Sequence, residues 1–274
     1  LIRKERFKDV LKNLDHTSTV TGLLLALNLG TQILDNVAGY FMPLIAGVFS
    51  IIVVKMIFGG TGKNFVNPAI AGRVLLIMSF PMVTTTGWAA TSIAAIGTNS
   101  VTAGETVLSG LLSDPAQYSM SNLDLFLGTG VAGSIGETCK IALILGGIYL
   151  CVKGVIDWKY PLIMIVAEGL TASLLVWDIK MFLPSVLSGG LIIGAIFMAT
   201  DYVTTPNTTA GNIIYFTVLG LITALLRYKN GCEVVSYCIL LMNFTVPLID
   251  RYVKPRPFGY QKPPKKAKGK EGSL

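Results

Sequence analysis

The chain has 274 residues, of which 52% are hydrophobic and only 14% are charged, and its formal net charge is +7. A soluble domain of this size carries about a quarter charged residues, and several apolar runs here are long enough to cross a bilayer. The composition therefore excludes an ordinary soluble protein and indicates an all-α polytopic membrane protein. Residues 251–274 carry eight basic residues and one acid, which equals the net charge of the whole chain. Beside spanning helices, this pattern favours a basic cytoplasmic tail, 251–274, after a membrane domain, 1–250, over a nucleic-acid-binding segment.

Apolar runs, taken in chain order, predict about eight transmembrane helices with both termini in the cytoplasm. The first run, 20–29, is interrupted by glycine and asparagine and is shorter than the roughly 20 residues of a regular span, so a broken helix is expected. Lys55 is expected to extend to the membrane surface, and Arg227 and Lys229 are assigned to an outer loop. Further crossings are expected at 37–58, 69–83, 139–152, 160–177, 186–200, 212–226 and 234–249.

Residues 74–139 contain no lysine or arginine, although four acidic residues occur there. Because positive residues concentrate on the cytoplasmic side of a membrane, residues 84–127 are predicted to form a long extracytoplasmic loop. Its threonine, serine, glycine and alanine content indicates little regular structure. A loop of this length in a compact membrane domain is usually functional or disordered.

A weak internal repeat relates the two ends of the membrane domain. Thr21-Gly22 followed by a span and Asn67-Pro68 resembles Gly189-Gly190 followed by a span and Asn243 with Pro247. The first three helices run out, in and out, whereas the last three run in, out and in. Opposite orientation of related triplets is the inverted-repeat plan, in which interrupted helices meet near the midplane around a site.

The glycine-rich joint at residues 57–73 is the first candidate site. It is not a phosphate-binding P-loop, because Ile57 stands where that motif needs a glycine and Asn64 stands where it needs serine or threonine. Its glycines let backbone approach a ligand or a neighbouring helix, and plain small-residue packing explains them equally well. The candidate cofactor-binding residues here are Gly59, Gly60, Thr61, Gly62, Lys63, Asn64 and Asn67.

A second glycine-rich segment, residues 128–138, contains a literal G-x-G-x-x-G. It lacks a preceding strand and a βαβ unit, so it is not a dinucleotide-binding fingerprint. The segment instead forms a glycine-dense entry into a helix, where exposed N–H groups can face a ligand or small residues can pack against another helix. The candidate binding residues are Gly133, Gly136 and Glu137.

Polar residues inside predicted spans supply further candidates. Glu168 lies near the middle of a span, and a carboxylate there indicates ion movement or a partner such as Lys140. Asp201 ends a helix at the cytoplasmic side and is a second ion-path candidate. Asn243 is a buried amide that needs a backbone or cofactor partner. No metal site is predicted, and the cysteines at positions 139, 151, 232 and 238 are expected to be reduced packing residues.

Several motifs together resemble the NqrB/RnfD family of membrane subunits, found in the sodium-pumping NADH:quinone oxidoreductase and in the Rnf complex. The chain fits RnfD better, because NqrB is longer, and relative to the family's roughly ten helices it lacks the first one or two. The matching stretches are Phe58-Gly-Gly-Thr-Gly-Lys-Asn-Phe-Val-Asn-Pro-Ala69, Ser79-Phe-Pro81, Gly133-Ser-Ile-Gly-Glu-Thr138, Ala199-Thr-Asp-Tyr-Val-Thr204 and Pro247-Leu-Ile-Asp250 with Pro255-Arg256 and Gly259.

The resemblance implies a covalent FMN on a threonine of the outer loop. The family pattern is like Ser-Gly-Ala-Thr-Pro-Leu, and residues 103–108 match it at Gly104, Thr106 and Leu108 but not at the other three positions. Thr106 is therefore the implied phosphoester attachment site, and Thr102 is a lesser candidate. Family members also hold a non-covalent riboflavin, for which the turn at residues 59–67 and the broken helices are the natural places.

The function that the resemblance implies is electron transfer within a redox-driven Na⁺ or H⁺ pump of the bacterial or archaeal cytoplasmic (inner) membrane. Electrons pass between ferredoxin and NAD, and the partners are the flavoprotein and iron–sulfur subunits of the Rnf complex. The alternatives are an NqrB-type subunit, an inert scaffold, or a non-redox channel or transporter, which an inverted repeat alone would also suggest.

Overall fold

A computed structural model describes residues 16–30, 37–80, 88–91, 103–104, 121–128, 131–134, 136–230 and 234–254. Helices dominate these ranges, and three short strands accompany them. The helices are α1 (Thr17–Leu27), α2 (Val37–Val48), α3 (Pro68–Ser79), α4 (Asn122–Leu127), α5 (Lys140–Val152), α6 (Lys159–Val176), α7 (Phe182–Leu187), α8 (Leu191–Ile193), α9 (Thr209–Asn230) and α10 (Val235–Tyr252). The strands are β1 (Trp88–Thr91), β2 (Ala103–Gly104) and β3 (Val131–Ala132).

Two of the helices are not regular α-helix along their whole length. α2 continues without a break into a π-helical segment, Phe49–Met56, and α8 continues into a second one, Gly194–Met198. A short 3₁₀ turn, Ile179–Met181, leads into α7. π-helical turns are rare and occur often at functional sites, and one such segment lies in each half of the predicted repeat.

Among the helices of the described ranges, two, α6 and α9, are long and apolar enough to cross a membrane by themselves. A third span is possible where Ile179–Leu187 and Leu191–Met198 pass the same test together, although they are bent by 72° at the break between them. Four shorter apolar helices, Thr17–Leu27, Phe41–Met56, Pro68–Ser79 and Lys140–Val152, complete the set. The helical membrane class is thus confirmed, whereas the count of eight crossings stays a prediction.

The break between α7 and α8 corrects the predicted single span at 186–200. Ser188 is extended, and Gly189 adopts φ +58°, a left-handed conformation that favours glycine. The break lies at the Gly189-Gly190 pair that the internal repeat contains. An interrupted helix is therefore present here, whereas the inverted repeat stays a prediction. Its counterpart α1 ends at Leu27, two residues before the end of the predicted run.

The helices α6 and α9 pack closely against each other in the core. A Cβ atom on Gly220 would lie 2.6 Å from the Met164 carbonyl oxygen and 3.0 Å from the Glu168 nitrogen, so only glycine allows this approach. The core cluster around this contact joins α3, α6, α8, α9 and α10 and includes Tyr215, Phe216 and Ile239. A smaller cluster joins α1, α2 and α3. These two clusters fix the positions of the polar residues described below.

The short strands form one antiparallel sheet in the order β2-β1-β3. Trp88 pairs with Gly104 in one register, and Thr91 pairs with Val131 in the other. The sheet therefore connects two parts of the predicted extracytoplasmic loop with the glycine-rich segment that precedes α5. Most of that loop, and the tail from residue 255 onward, lies outside the described residues.

Candidate functional site

The glycine loop at residues 59–63 lies at the surface. Gly59, Gly60 and Gly62 have φ values of +111°, +93° and +85°, so the loop's path depends on glycine. The Thr61 hydroxyl lies 3.2 Å from the Thr17 hydroxyl at the start of α1. Lys63 is exposed with the rest of the loop. This part of the predicted site faces outward and does not form a buried pocket.

Two buried asparagines follow this loop and point inward. The Asn64 side chain donates to the Val66 carbonyl at 3.0 Å. Asn67 caps α3, because its Oδ1 accepts from the Ala69 and Ile70 amides at 3.0 and 3.3 Å, and its Nδ2 donates to the Met198 carbonyl at 3.2 Å. Asn67 therefore joins the start of α3 to the end of the π-helical segment after α8, which links the two repeats.

Asn243 lies beside Asn67, its counterpart in the internal repeat. One orientation of its amide satisfies both ends: the nitrogen donates to the Tyr215 hydroxyl at 2.9 Å and to the Ile239 carbonyl at 3.2 Å, and the oxygen accepts from the Asn67 amide at 3.0 Å. Asn243 lies within α10 and not at a helix start. The prediction that this buried amide needs partners is confirmed, and protein groups supply them.

Arg73 is a buried cation that the sequence patterns did not single out. It lies on α3 and is 5% exposed. Its Nη1 donates to the Asn28 side chain at 2.7 Å and to the Ser236 hydroxyl at 3.0 Å. Arg73 therefore ties the end of α1 to the start of α10 across α3. Arg73 could have been chosen as a candidate from the sequence, because it lies within a predicted span and charged residues there seldom lack a role.

Lys55 does not extend to the membrane surface as predicted. Its side chain is 6% exposed, and its ammonium donates to the Thr17 hydroxyl. It also acts electrostatically on Asp201, which lies half-buried in the loop after α8. Burial raises the pKa of the Asp201 carboxyl above its ordinary value, and hydrogen bonds from Val203 and Thr204 and the charge of Lys55 oppose that shift.

Glu168 forms an ion pair with Arg227 deep in the core. The two residues are 0% and 2% exposed, and Nη1 of the arginine lies 2.9 Å from Oε1 of the glutamate. The Ser185 hydroxyl donates to the same oxygen at 2.8 Å. Two parts of the prediction were wrong: the partner is not Lys140, and Arg227 lies in α9 and not in an outer loop. Lys229, near the end of the same helix, is exposed.

Arg227 also binds the end of α7. It donates to the Ser185 carbonyl at 3.1 Å and to the Ser188 carbonyl at 3.4 Å. The last carbonyls of a helix have no partner within the helix and carry a partial negative charge. Arg227 therefore neutralises both Glu168 and the carboxyl end of the broken helix, which holds α6, α7 and α9 together.

Gly133, Gly136 and Glu137 lie together in the segment that enters α5. The Ser134 amide donates to Glu137 Oε1 at 2.6 Å, and the Gly136 amide donates to the Leu27 carbonyl at the end of α1 at 2.7 Å. A Cβ on Gly133 would lie 2.8 Å from Glu137 Oε1, so glycine leaves room for this folded-back carboxylate. The segment contacts the first repeat directly.

Lys140 connects the same segment to the second repeat. Its side chain is 1% exposed, and its ammonium donates to the carbonyls of Glu137 and Gly189, the latter at 2.8 Å. Gly189 is the residue at the break between α7 and α8. The entry into α5 thus lies between the end of α1 and the break in the second repeat.

The predicted flavin site is described only in part. Gly104 forms β2 together with Ala103, whereas Thr106 and Thr102 lie outside the described residues. Their roles therefore stay predictions. Within the described ranges, no group of three or more histidine, cysteine, aspartate or glutamate residues could hold a metal ion. Cys139, Cys151 and Cys238 are free thiols, as expected.

Six of the predicted site residues fall into three separate groups among the described residues, whereas residues 59–63 lie at the surface and Asp201 lies apart near Lys55. Asn67 and Asn243 form one junction, Gly133, Gly136 and Glu137 form another, and Glu168 belongs to the arginine-bound cluster. Arg227 and Ser134 were missed as members of these groups, and Arg73 was missed as a separate buried cation. Arg227 could have been found by its spacing from Gly220, because seven residues in a helix return to the same face.

Comparison with known proteins gives consistent matches along most of the chain. A family model described as the NQR2, RnfD, RnfE family matches residues 1–259. The RnfD subunit of the Na⁺-translocating ferredoxin:NAD⁺ oxidoreductase complex of Acetobacterium woodii is 41% identical over 259 residues, which cover 93% of this chain and 76% of the relative.

Two further relatives agree with this match. The RnfD subunit of the proton-translocating ferredoxin:NAD⁺ oxidoreductase complex of Clostridium ljungdahlii is 38% identical, covering 89% of this chain and 75% of the relative. The corresponding subunit of the ion-translocating oxidoreductase complex of Stutzerimonas stutzeri is 32% identical, covering 90% and 76%. The names of the first two relatives specify different ions.

Proposed function

The chain belongs to the NQR2, RnfD, RnfE family, and we propose that it transfers electrons within an Rnf-type pump through FMN attached to Thr106. It is a multi-pass membrane subunit of an ion-translocating ferredoxin:NAD⁺ oxidoreductase complex, and the other Rnf subunits are its partners. The observation that carries this conclusion is the 41% identity to an RnfD subunit over 93% of the chain.

The position of the flavin is supported by sequence and topology. Residues 103–108 match the family pattern at Gly104, Thr106 and Leu108, and Gly104 belongs to a sheet that contacts the entry to α5. A threonine hydroxyl can form the phosphoester. Bound FMN would accept and donate electrons one or two at a time, and the protein would fix its position and electrostatic surroundings. We place the loop outside the cytoplasmic membrane and both termini inside, because residues 74–139 lack lysine and arginine.

A non-covalent riboflavin is a separate proposal, and the first group of candidate residues gives it little support. The amides of Asn64, Asn67 and Asn243 all bind protein groups, and residues 59–63 are largely exposed. These side chains are therefore not available to hold a buried flavin ring. Any riboflavin contacts would come from other residues.

The two ion-path candidates from the sequence differ in their surroundings. The contact with Arg227 supports a structural role for Glu168, since the pair neutralises itself. Asp201 lies half-buried near Lys55, outside the regular helices, and we retain it as a candidate on the ion path. The coupling ion is open, because relatives of similar identity are named for Na⁺ and for protons.

In-gel flavin fluorescence tests the covalent flavin. The full complex is expressed together with the flavin transferase, denatured and separated, and the band of this subunit is examined. The wild type and Thr102→Ala are expected to fluoresce, whereas Thr106→Ala is expected to be dark. A dark wild-type band would contradict the proposal and favour a scaffold or a non-redox transporter. A band lost only in Thr102→Ala would move the attachment site to Thr102.

A further inference from the structure

The entry to α5 contains two buried oxygens that accept no hydrogen bond from any described residue. Glu137 is 5% exposed and Ser134 is 0% exposed. Glu137 Oε1 accepts from the Ser134 amide at 2.6 Å, but neither Glu137 Oε2 nor the Ser134 hydroxyl oxygen has a hydrogen-bond partner among the described residues. Burying a polar group without a partner costs free energy, and burying a charged one costs more. Two such oxygens in one short segment indicate a missing ligand.

The surroundings of these oxygens favour a cation. The segment contacts the carboxyl end of α1 through the Gly136–Leu27 hydrogen bond, and it contacts the break after α7 through Lys140 and Gly189. Helix carboxyl ends carry a partial negative charge. Interrupted helices that meet inside a membrane domain are also where transporters coordinate ions. The Glu137 carboxylate and the carboxyl end of α1 therefore give this place a negative field, whereas Arg227 already neutralises the end of α7.

Lys140 is the positive group nearest in the chain to this field. Its ammonium binds main-chain carbonyls of Glu137 and Gly189, and it does not satisfy Glu137 Oε2. α1 and α8 pack against Gly136 through Leu27 and Ile193, both of which are uncharged. Because Lys140 offsets part of the negative charge of Glu137 and the helix end, the negative charge that is left suits a ligand with a single positive charge better than a divalent ion.

We propose that Glu137 Oε2 and the Ser134 hydroxyl bind a monovalent cation, either a sodium ion or a proton, between the two interrupted helices. This inference deepens the proposed function, since it places an ion-binding step within the subunit. The strand β3 leads directly into the site and pairs with β1, which pairs with β2 at Gly104. Gly104 is two residues before Thr106 in the sequence, so one sheet joins the proposed flavin loop to the proposed cation site.

Carbodiimide labelling of the wild-type complex tests the site without any substitution. The reagent modifies protonated carboxyl groups in apolar surroundings, and mass spectrometry identifies the modified residue. We expect labelling at Glu137 that a bound cation suppresses. Suppression by added sodium at constant pH identifies a sodium site, whereas suppression only by raised pH identifies a proton site. Labelling at Glu137 that responds to neither would overturn the proposal.

Transport by variants of the complex gives the second test. In inverted membrane vesicles, Glu137→Gln is expected to lower ion uptake at least tenfold, and Ser134→Ala severalfold, with the flavin band retained. Ser173→Ala is the matched control, because that buried hydroxyl donates to the Gly169 carbonyl within its own helix. Wild-type uptake in Glu137→Gln would contradict the proposal. A dark flavin band in the wild type would instead contradict the proposed function, and the labelling result would still decide the cation site.

Discussion

Two buried glutamates in the same membrane domain have opposite surroundings. Glu168 accepts from Arg227 and from the Ser185 hydroxyl, so a full positive charge lies against it. Within the described ranges, Glu137 accepts a backbone amide at one oxygen and nothing at the other. Both leave Oε2 without a partner among the described residues, so the difference is that Arg227 binds the Glu168 carboxylate itself, whereas Lys140 binds the main-chain carbonyl of Glu137. A carboxylate inside a span therefore does not identify an ion path until its partner is known.

The comparison assigns different roles to the two regions. The Glu168–Arg227 pair binds the end of α7 and holds the break between α7 and α8 in shape. The Glu137 segment lies beside the same break, because Lys140 binds Gly189. The first region is a fixed internal support, and the second is the proposed site of an exchangeable charge. The variants below test whether the Glu168–Arg227 pair stabilises the fold and whether Glu137 exchanges an ion.

The largest effect on stability is expected from Arg227→Met. This change leaves Glu168 as an unpaired buried charge and removes two hydrogen bonds to α7, so a loss of about 3–5 kcal/mol in unfolding free energy is expected. Thermal unfolding in detergent, followed by size-exclusion chromatography, measures the loss. Lys229→Met is the control, because Lys229 is exposed two residues further along α9. Equal melting of both variants would mean that the pair does not support the fold.

The double variant Glu168→Met with Arg227→Met sharpens this test. Replacing both partners of a buried ion pair by apolar groups is often neutral or even stabilising. We therefore expect the double variant to recover most of the stability that Arg227→Met loses. No recovery, measured in the same melting experiment, would show that the contacts of Arg227 with α7 matter more than its charge pairing.

A smaller effect is expected from Gly220→Ala, which disturbs the approach of α9 to α6. The added Cβ would lie 2.6 Å from the Met164 carbonyl oxygen, and Gly220 lies two turns before Arg227 on the same face of α9. The expected cost is about 1–3 kcal/mol. Gly22→Ala is the matched control, since a Cβ there meets nothing within 4 Å, and alanine favours a helix by up to about 1 kcal/mol. Similar melting temperatures for the two variants would contradict this account of the interface.

The smallest effect is expected at Asp201, a carboxylate that is only half-buried, unlike the buried Glu137 and Glu168. Burial raises its folded-state pKa above the ordinary value of 3.8, so the folded state holds this proton more tightly than the unfolded state. Stability is therefore lost as pH rises from 3.8 through the folded-state pKa. Asp201→Asn is expected to unfold at a slightly higher temperature than the wild type above that window and at the same temperature below it. A difference of the opposite sign would contradict the burial argument.

Local features of the sequence predicted the helices better than they predicted which polar side chains bind one another. The cap at Asn67-Pro68 followed from residue type, whereas the break at Gly189-Gly190 lies inside a predicted single span, although the repeat comparison had drawn attention to that glycine pair. Glu168 was singled out by its position in a span. Its partner was not, because counting lysine and arginine treats every basic residue as a loop marker, and Arg227 lies inside α9.

The same limit applies to Lys55 and Ser134. Lys55 has a long side chain near a helix end, a pattern that favours extension to the surface, but Thr17 of another helix provides a hydrogen-bond partner inside the fold. The glycine-dense motif identified Glu137, yet nothing in the local sequence indicates that one of its oxygens stays unpaired. The pairing of charged side chains depends on contacts between helices that are far apart in the chain, and a single sequence does not reveal those contacts.

The central claim is that Glu137, and not Glu168, carries the exchangeable charge. The most direct test is the number of ions transported per NAD⁺ reduced, measured in vesicles for Glu137→Gln and for the double variant Glu168→Met with Arg227→Met. The account predicts a ratio that falls sharply in the first and stays near the wild-type value in the second. A normal ratio in Glu137→Gln together with a collapsed ratio in the double variant would contradict it.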